Sequence, residues 1–232
     1  MINQSSPRYQ INYVGFIGLV LLSYACEVGT AYANPPSGIA PLLHTSRIEV
    51  TSSIAPATRP LLTPQQQITF MAELEGTPPD WEQLHNHPGE EHGERLFVFN
   101  RKRDEIREGH PLLTKRVAFL WTGILRHFIP EHKGFSVAMG PELTQTEWGI
   151  VRFKPMGLPD DMIAIPSPAL LTVLREQHAA DEEIQVGIIF AGRLIPDESI
   201  MYAFSHDGSE QGMIMPVVQI DGVGYFLETP NE

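Results

Sequence analysis

The chain has 232 residues, of which 42% are hydrophobic, and its formal net charge is −12 at pH 7. This length and hydrophobic content suit one ordinary globular domain or two small ones. Because an acidic chain repels phosphate backbones and anionic lipid headgroups, neither nucleic-acid binding nor membrane-surface binding is expected as its main function.

Residues 1–33 have the features of an export signal. One charged residue, Arg8, precedes an apolar run at 13–25, and the triplet Ala-Tyr-Ala at 31–33 is a small-x-small cleavage site. The run is too short to predict a transmembrane helix. We therefore predict a signal peptide, a periplasmic or extracellular location and no stable membrane span after cleavage. The alternative is a lipid anchor on Cys26, the only cysteine of the sequence.

The next segment, residues 34–62, is rich in proline, serine, threonine and alanine. Its apolar runs are short and have no sustained period, so ordering it would bury little apolar surface to offset the lost chain entropy. The composition predicts a flexible tether over residues 34–62.

A small helical region is predicted over residues 63–109. Thr63 and Gln66 form a capping-box pattern, and Pro64 suits the first turn of a helix. The helix is expected to end at Gly76, because glycine is the common residue just beyond a helix C-terminus.

Two further helices follow in the same region. A short one is expected after Asp80, which repeats the capping pattern, and a longer one is expected to end before Gly109. The longer helix has four residues at helical spacing that predict one packed face: Leu96, Phe99, Arg103 and Ile106. The charged run at 101–108 mixes both signs, which predicts a salt-bridged surface facing solvent.

Side chains that bind metals are concentrated between the second and third of these helices. Imidazole nitrogens and carboxylate oxygens are common ligands of divalent metals. Pro88 and Gly89 predict a turn among them. The candidate metal ligands are His85, His87, Glu91 and His92. The alternative interpretation of this segment is a solvated loop that leads into a helix.

The string His-Asn-His-Pro-Gly-Glu-Glu at 85–91 resembles the first metal-binding motif of the cupin family. The resemblance implies that two histidines and Glu91 surround one metal ion. A cupin would continue as a strand, whereas residues 101–107 predict a helix, and no second cupin motif follows. We therefore do not predict a cupin scaffold for this chain.

From residue 110 onward the hydrophobic pattern changes from helical to alternating, which predicts strands. The predicted strands are 116–128, 134–139, 147–153, 162–165, 184–194, 199–204, 213–220 and 223–228. A helix at 168–178, capped by Ser167, interrupts the series. The pair Asp221 and Gly222 predicts a tight hairpin between the last two strands.

These patterns predict an α+β fold, in which a small N-terminal helical region packs on a mainly antiparallel β-barrel or sandwich with one inserted helix. The predicted organisation is a signal peptide at 1–33, a tether at 34–62, a helical region at 63–109 and a β-rich domain at 110–232.

The sequence has no nucleophile elbow of the Gly-x-Ser-x-Gly type, no phosphate loop and no His-Glu-x-x-His motif. We therefore predict an exported bacterial envelope protein that acts as a non-catalytic binding or assembly module, with no cofactor. Its expected partner is an envelope protein or a small ligand. The alternative is a metal-dependent enzyme, in which the cluster at 85–92 holds a divalent metal and a water on that metal is the nucleophile. No pattern sets the oligomeric state.

Overall fold

The structure is a computed structural model that describes residues 36–85, 92–195, 200–204 and 211–228. Within these ranges there are five α-helices: α1 (Arg47–Ser53), α2 (Pro64–Glu75), α3 (Trp81–His85), α4 (His92–Arg107) and α5 (Pro168–Ala179). A 3₁₀ helix, Pro111–Thr114, joins α4 to the sheet. The described residues belong to one compact unit, Ala33–Glu232.

The same ranges contain eleven strands. They are β1 (Ile39–Thr45), β2 (Thr58–Pro60), β3 (Arg116–Ile129), β4 (Gly134–Met139), β5 (Thr144–Thr146), β6 (Gly149–Val151), β7 (Lys154–Met156), β8 (Ile163–Pro166), β9 (Gln185–Leu194), β10 (Ile200–Phe204) and β11 (Gly212–Glu228). The α+β class predicted from the sequence is confirmed.

Six of these strands close into a barrel. Their order around the ring is β1, β8, β4, β3, β9 and β11, and β11 pairs with β1 again. The β8–β4, β4–β3, β3–β9 and β9–β11 pairs are antiparallel, whereas β1 runs parallel to both of its neighbours. The prediction of a mainly antiparallel barrel is confirmed, and closure removes the free edges that an open sheet would have.

The interior of the barrel is filled by side chains. Phe119 and Trp121 of β3 and Phe190 of β9 are buried there, as the alternation of their strands predicts. Phe153 stacks on Phe119 with ring centroids 4.5 Å apart. Leu174 of α5 joins the same core, so the inserted helix packs on the barrel as predicted. The barrel is a packed scaffold, and its clefts lie on the outside.

The prediction of a flexible tether is wrong for residues 39–60, which contain β1, α1 and β2. Residues 39–42 of β1 pair with β8, and residues 42–45 pair with β11. Pro41 is tolerated because its part of β1 pairs on one side only, so its missing N–H breaks no ladder. The apolar runs of this segment are too short to show a helical or alternating period. They are ordered by pairing with strands that are far away in sequence.

The prediction of a hairpin at Asp221 is also wrong, because β11 runs through this position as one strand. Both halves of β11 pair with β9, and the register shifts between Ile220 and Gly222. Asp221 lies at this bulge, where its carboxylate accepts hydrogen bonds from Arg116 at 2.6 to 3.1 Å. An Asp-Gly pair suits a bulge as well as a turn, and the pairing partner decides between them.

The two helix starts predicted from capping patterns are confirmed. The hydroxyl of Thr63 accepts a hydrogen bond from the backbone N–H of Gln66, and the Gln66 side chain accepts one in return from the backbone N–H of Thr63. Asp80 accepts a hydrogen bond from the backbone N–H of Gln83 at 2.9 Å in the same way. Gly76 ends α2 with a φ of 78°, a conformation that favours glycine.

Candidate functional site

The helical region is attached to the sheet through Trp81, the first residue of α3. Its indole Nε1 donates a hydrogen bond to the carbonyl oxygen of Trp148 at 2.7 Å. The indole lies against Gly149 and Gly212, and a Cβ atom at Gly212 would stand 1.9 Å from the ring. Tyr202 of β10 packs on it with ring centroids 5.9 Å apart. A slot lined by backbone therefore fixes α3 on the sheet.

The carboxylate of Glu75, the last residue of α2, is fully buried and is the centre of an ion-pair network. Arg103 donates to Oε2 at 3.0 Å, and Arg107 donates to Oε1 at 2.7 Å. The Tyr202 hydroxyl donates to Oε2 as well. Asp104 supplies a second carboxylate to Arg107. Glu75 is the buried carboxylate that faces the two buried guanidinium groups, and Asp104, whose side chain is 57% exposed, adds a second negative charge at the edge of the network.

Tyr202 links this network to the edge of the sheet. Burial raises the pKa of Tyr202, and the negative charge of Glu75 raises it further, so the phenol is protonated at neutral pH. Asn100 of α4 donates to the backbone carbonyl of Tyr202 at 3.0 Å and accepts from its backbone N–H at 2.8 Å. These hydrogen bonds join α4 to β10, and the Phe99 ring packs edge-to-face on Tyr202 with ring centroids 5.1 Å apart.

The orientation of α4 reverses the usual arrangement of a surface helix. Arg103 and Arg107 are 8% and 2% exposed, whereas Phe97, Val98 and Ile106 are 63%, 47% and 57% exposed. Arg103 is buried on the packed face, as predicted, whereas Ile106 of that predicted face is exposed. Arg107, from the charged run predicted to face solvent, is buried as well. The cause is the buried carboxylate on α2, which draws the charged side of α4 inward.

A groove between α3 and α4 lies on the outer side of this network, and we call it the α4 groove. Its volume is about 480 Å³, and its lining residues are Gln83, Leu84, Glu94, Arg95, Val98, Phe99 and Lys102. The lining combines apolar side chains with two cations, Arg95 and Lys102, and one carboxylate, Glu94. Among the described residues, no acceptor binds the buried Nε and Nη1 atoms of Arg95. Buried guanidinium N–H groups normally have acceptors, so this position favours an anionic ligand group.

The predicted metal ligands are next to this groove in sequence. His85 ends α3, and its ring packs edge-to-face on Phe204 with centroids 5.4 Å apart. His87 and Glu91 lie outside the described residues. His92 begins α4, and its side chain also lies outside the described part. The proposed metal set therefore stays a prediction.

Two other clefts lie on the outside of the barrel. One, of about 270 Å³, lies beside α1 and is mostly apolar, with an arginine, Arg116, that is already bound to Asp221. The other, of about 420 Å³, lies beyond α5 and is lined by His127, His178 and the acidic residues 181–183, among others. Across the described ranges, no three His, Cys, Asp or Glu side chains are placed to hold a metal ion.

Three residues that define the site were missed in the sequence: Glu75, Arg95 and Tyr202. One signal was present, because Arg103 and Arg107 are four residues apart and share a helix face. That spacing shows a pair of cations on one face. It does not show that the face is buried, because the partner carboxylate is 28 to 32 residues away.

Among the helices of the described residues, none is both long and apolar enough to cross a bilayer. The α4 groove and the ion-pair network behind it are the features from which a function is argued. Comparison with protein-family models, with curated proteins and with solved structures finds no match to this chain.

Proposed function

We propose that the protein is a non-catalytic binding or assembly module of the bacterial cell envelope, and that the α4 groove is its binding surface. The observation that carries the proposal is the reversed orientation of α4, with buried arginines, with an exposed Val98 in the groove lining and with an exposed Phe97 outside that lining. Soluble proteins seldom leave apolar residues together on one helix unless a partner covers them. The expected partner is an envelope protein, and a small ligand is the alternative occupant.

The attachment of α4 supports this role. Trp81 in its backbone slot and Glu75 in its ion-pair network hold the helices on a closed barrel. A surface held in this way does not have to be ordered when a partner binds, so less free energy is lost on association. Full burial of such a side chain contributes about 1.5 to 3 kcal/mol, and Val98, which is 47% exposed, would contribute about half of that when covered.

Site-specific photo-crosslinking in the native cell tests the proposal. A photoreactive residue replaces Val98 in the groove, and the matched control replaces Val173 on α5. The two valines are 47% and 51% exposed, so they differ in position rather than in accessibility. We expect a discrete crosslinked product from position 98 and none from position 173. Equal labelling at both positions would reject the groove as the binding surface.

A second candidate function is a metal-dependent enzyme that uses His85, His87, Glu91 and His92. The observation in its favour is that His85 ends α3 and His92 begins α4, so the segment between them is attached to helices at both ends. Fixed ends lower the chain entropy that is lost when ligands converge on a metal.

Metal analysis separates this candidate from the first. If the cluster binds a divalent metal, His87→Ala should remove the metal and lower the melting temperature together, because metal binding is coupled to folding. His132→Ala, at an exposed turn residue, is the control and should change stability by no more than about 0.5 kcal/mol. Absence of metal from the unchanged protein, with equal melting curves for both variants, would reject the enzyme.

A further inference from the structure

The buried Nε and Nη1 atoms of Arg95 indicate what kind of group the α4 groove receives. Among the described residues they have no acceptor. Lys102 adds a second positive charge to the same lining, so the two cations outnumber its one carboxylate, Glu94. A carboxylate can accept two parallel hydrogen bonds from one guanidinium group. Leu84, Val98 and Phe99 line the groove beside these cations. The groove therefore suits a carboxylate carried next to small apolar groups.

The chain itself carries such a group at the end of α5. Residues 94–154 have 11 basic and 7 acidic side chains, whereas residues 155–232 have 2 basic and 13 acidic ones. Within the acidic part, the residues Asp181, Glu182 and Glu183 are consecutive and exposed, and we call them the acidic corner. Two exposed alanines, Ala179 and Ala180, precede them.

The backbone of the acidic corner is ordered. The N–H of Asp181 donates to the carbonyl of His178, and the N–H of Glu182 donates to the carbonyl of Gln177, both at 3.1 Å. These bonds close the last turn of α5, so the carboxylates are presented on a fixed turn rather than on a loose loop. Docking a fixed turn costs less entropy than docking a flexible segment.

The groove and the acidic corner lie at opposite ends of β11, so one chain cannot join them. β10, which holds α4, pairs with β11 up to Pro216. The corner leads into β9, where Gly187 pairs with Phe226 near the other end of β11. Ten residues of strand separate Pro216 from Phe226, which corresponds to about 33 Å. The acidic corner of one copy therefore cannot reach the groove of the same copy.

We propose that the acidic corner of one copy docks in the α4 groove of a second copy, so that the protein associates head to tail. This inference rests on the proposed function of the groove as a binding surface. Charge complementarity supports a second copy, because one sequence supplies both the cationic groove and the acidic corner. A contact between two different surfaces repeats from copy to copy and gives rings or open chains.

Analytical ultracentrifugation of the full chain, as isolated from cells, tests the proposal. Over about 10 to 300 µM protein at about 20 mM salt, the weight-average mass should rise with concentration, and about 500 mM salt should return it to one chain. Arg95→Glu combined with Lys102→Glu should abolish the rise. Lys102→Glu alone, at an exposed residue, should weaken it without affecting folding.

Reversing the charges of both surfaces tests whether they contact each other. Glu182→Lys combined with Glu183→Lys should also abolish association, and one chain carrying all four changes should recover it. Lys115→Glu combined with Lys154→Glu is the control, because it changes net charge as much as the groove variant but lies outside the groove lining. A single-chain mass at every concentration would overturn the proposal, and so would association that survives either reversal or is not recovered by the four changes together.

The outcome for self-association is separable from the outcome for the proposed function. A chain that stays monomeric, but whose probe at position 98 still crosslinks to a different protein, rejects the second copy as occupant and leaves the groove as a binding surface. Loss of both signals rejects both proposals.

Discussion

Glu75 is the residue on which the attachment of the helical region depends most. Its side chain is 0% exposed, and it binds two arginines from α4. Removing one member of a buried ion pair costs far more than removing an exposed pair, because the remaining charge stays buried without compensation. Two glutamates on α2, Glu75 and Glu73, allow this difference to be measured on one helix.

The variant Glu75→Gln should lower the free energy of unfolding by about 3 to 5 kcal/mol. The control Glu73→Gln removes a surface pair with Arg59 in which the Glu73 side chain is 47% exposed, and it should cost no more than about 1 kcal/mol. Urea unfolding at pH 7 measures both values. Equal losses for the two variants would contradict the buried network.

Tyr202 is expected to make the folded chain lose stability as the pH rises into the alkaline range. Its pKa in the folded chain is raised above the ordinary tyrosine value of 10.0. Below that pH the phenol is protonated in both the folded and the unfolded chain. As the pH rises further, the unfolded chain releases the proton while the folded chain retains it, so the folded state loses stability.

The variant Tyr202→Phe should therefore lose less stability than the unchanged protein between about pH 10 and pH 11. At neutral pH the same variant should be less stable by about 1.5 to 3 kcal/mol, because a hydrogen bond to a charged carboxylate is lost. Urea midpoints at a series of pH values give both results. Parallel pH profiles for the two proteins would show that Tyr202 does not carry the alkaline effect.

At the scale of elements, the closed barrel depends on the short strand β1. Only seven residues long, it closes the barrel between β8 and β11. The adjoining α1 contributes Val50 to an apolar cluster with Leu120 and Phe226 on the outside of the barrel. Removal of β1 and α1 would leave the edges of β8 and β11 unpaired and would expose apolar side chains. Both changes favour aggregation.

A chain that begins at residue 63 should therefore aggregate or unfold without cooperativity, whereas removal of a flexible tether would leave folding unchanged. A chain that begins at residue 36 keeps β1 and α1 and should unfold in one cooperative transition. Solubility and urea unfolding of the two truncated proteins provide the measurement. If the shorter chain matched the longer one, β1 would be dispensable for the fold.

At the scale of the whole molecule, export is the property that the sequence predicts most directly. Mass spectrometry of the protein isolated from cells should find Asn34 at the N-terminus, because the small-x-small triplet ends at Ala33. An acyl group on Cys26 would instead identify a lipoprotein. A soluble protein that retains Met1 would contradict export.

The α4 groove was not predicted from the sequence, although it lies beside the segment in which the metal ligands were predicted. The sequence directed attention to residues 85–92 because histidine and glutamate are concentrated there, and the α4 groove begins beside this segment. The choice of Glu75, Arg95 and Tyr202 required knowledge of burial. An arginine on an exposed helix and an arginine in a buried network look the same in a sequence.

Local signals in the sequence by themselves determined much of the fold. The capping box at Thr63, the alternation of β3 and the capped α5 act between residues a few positions apart, so they can be found without knowledge of the fold. The tertiary structure alone decided barrel closure by β1, the continuity of β11 at Asp221 and the inward arginines of α4. In each case the deciding partner is far away in sequence: Leu42 pairs with Tyr225, and Arg107 binds Glu75. Such contacts form only because the folded chain brings both partners together, so a local sequence pattern does not predict them.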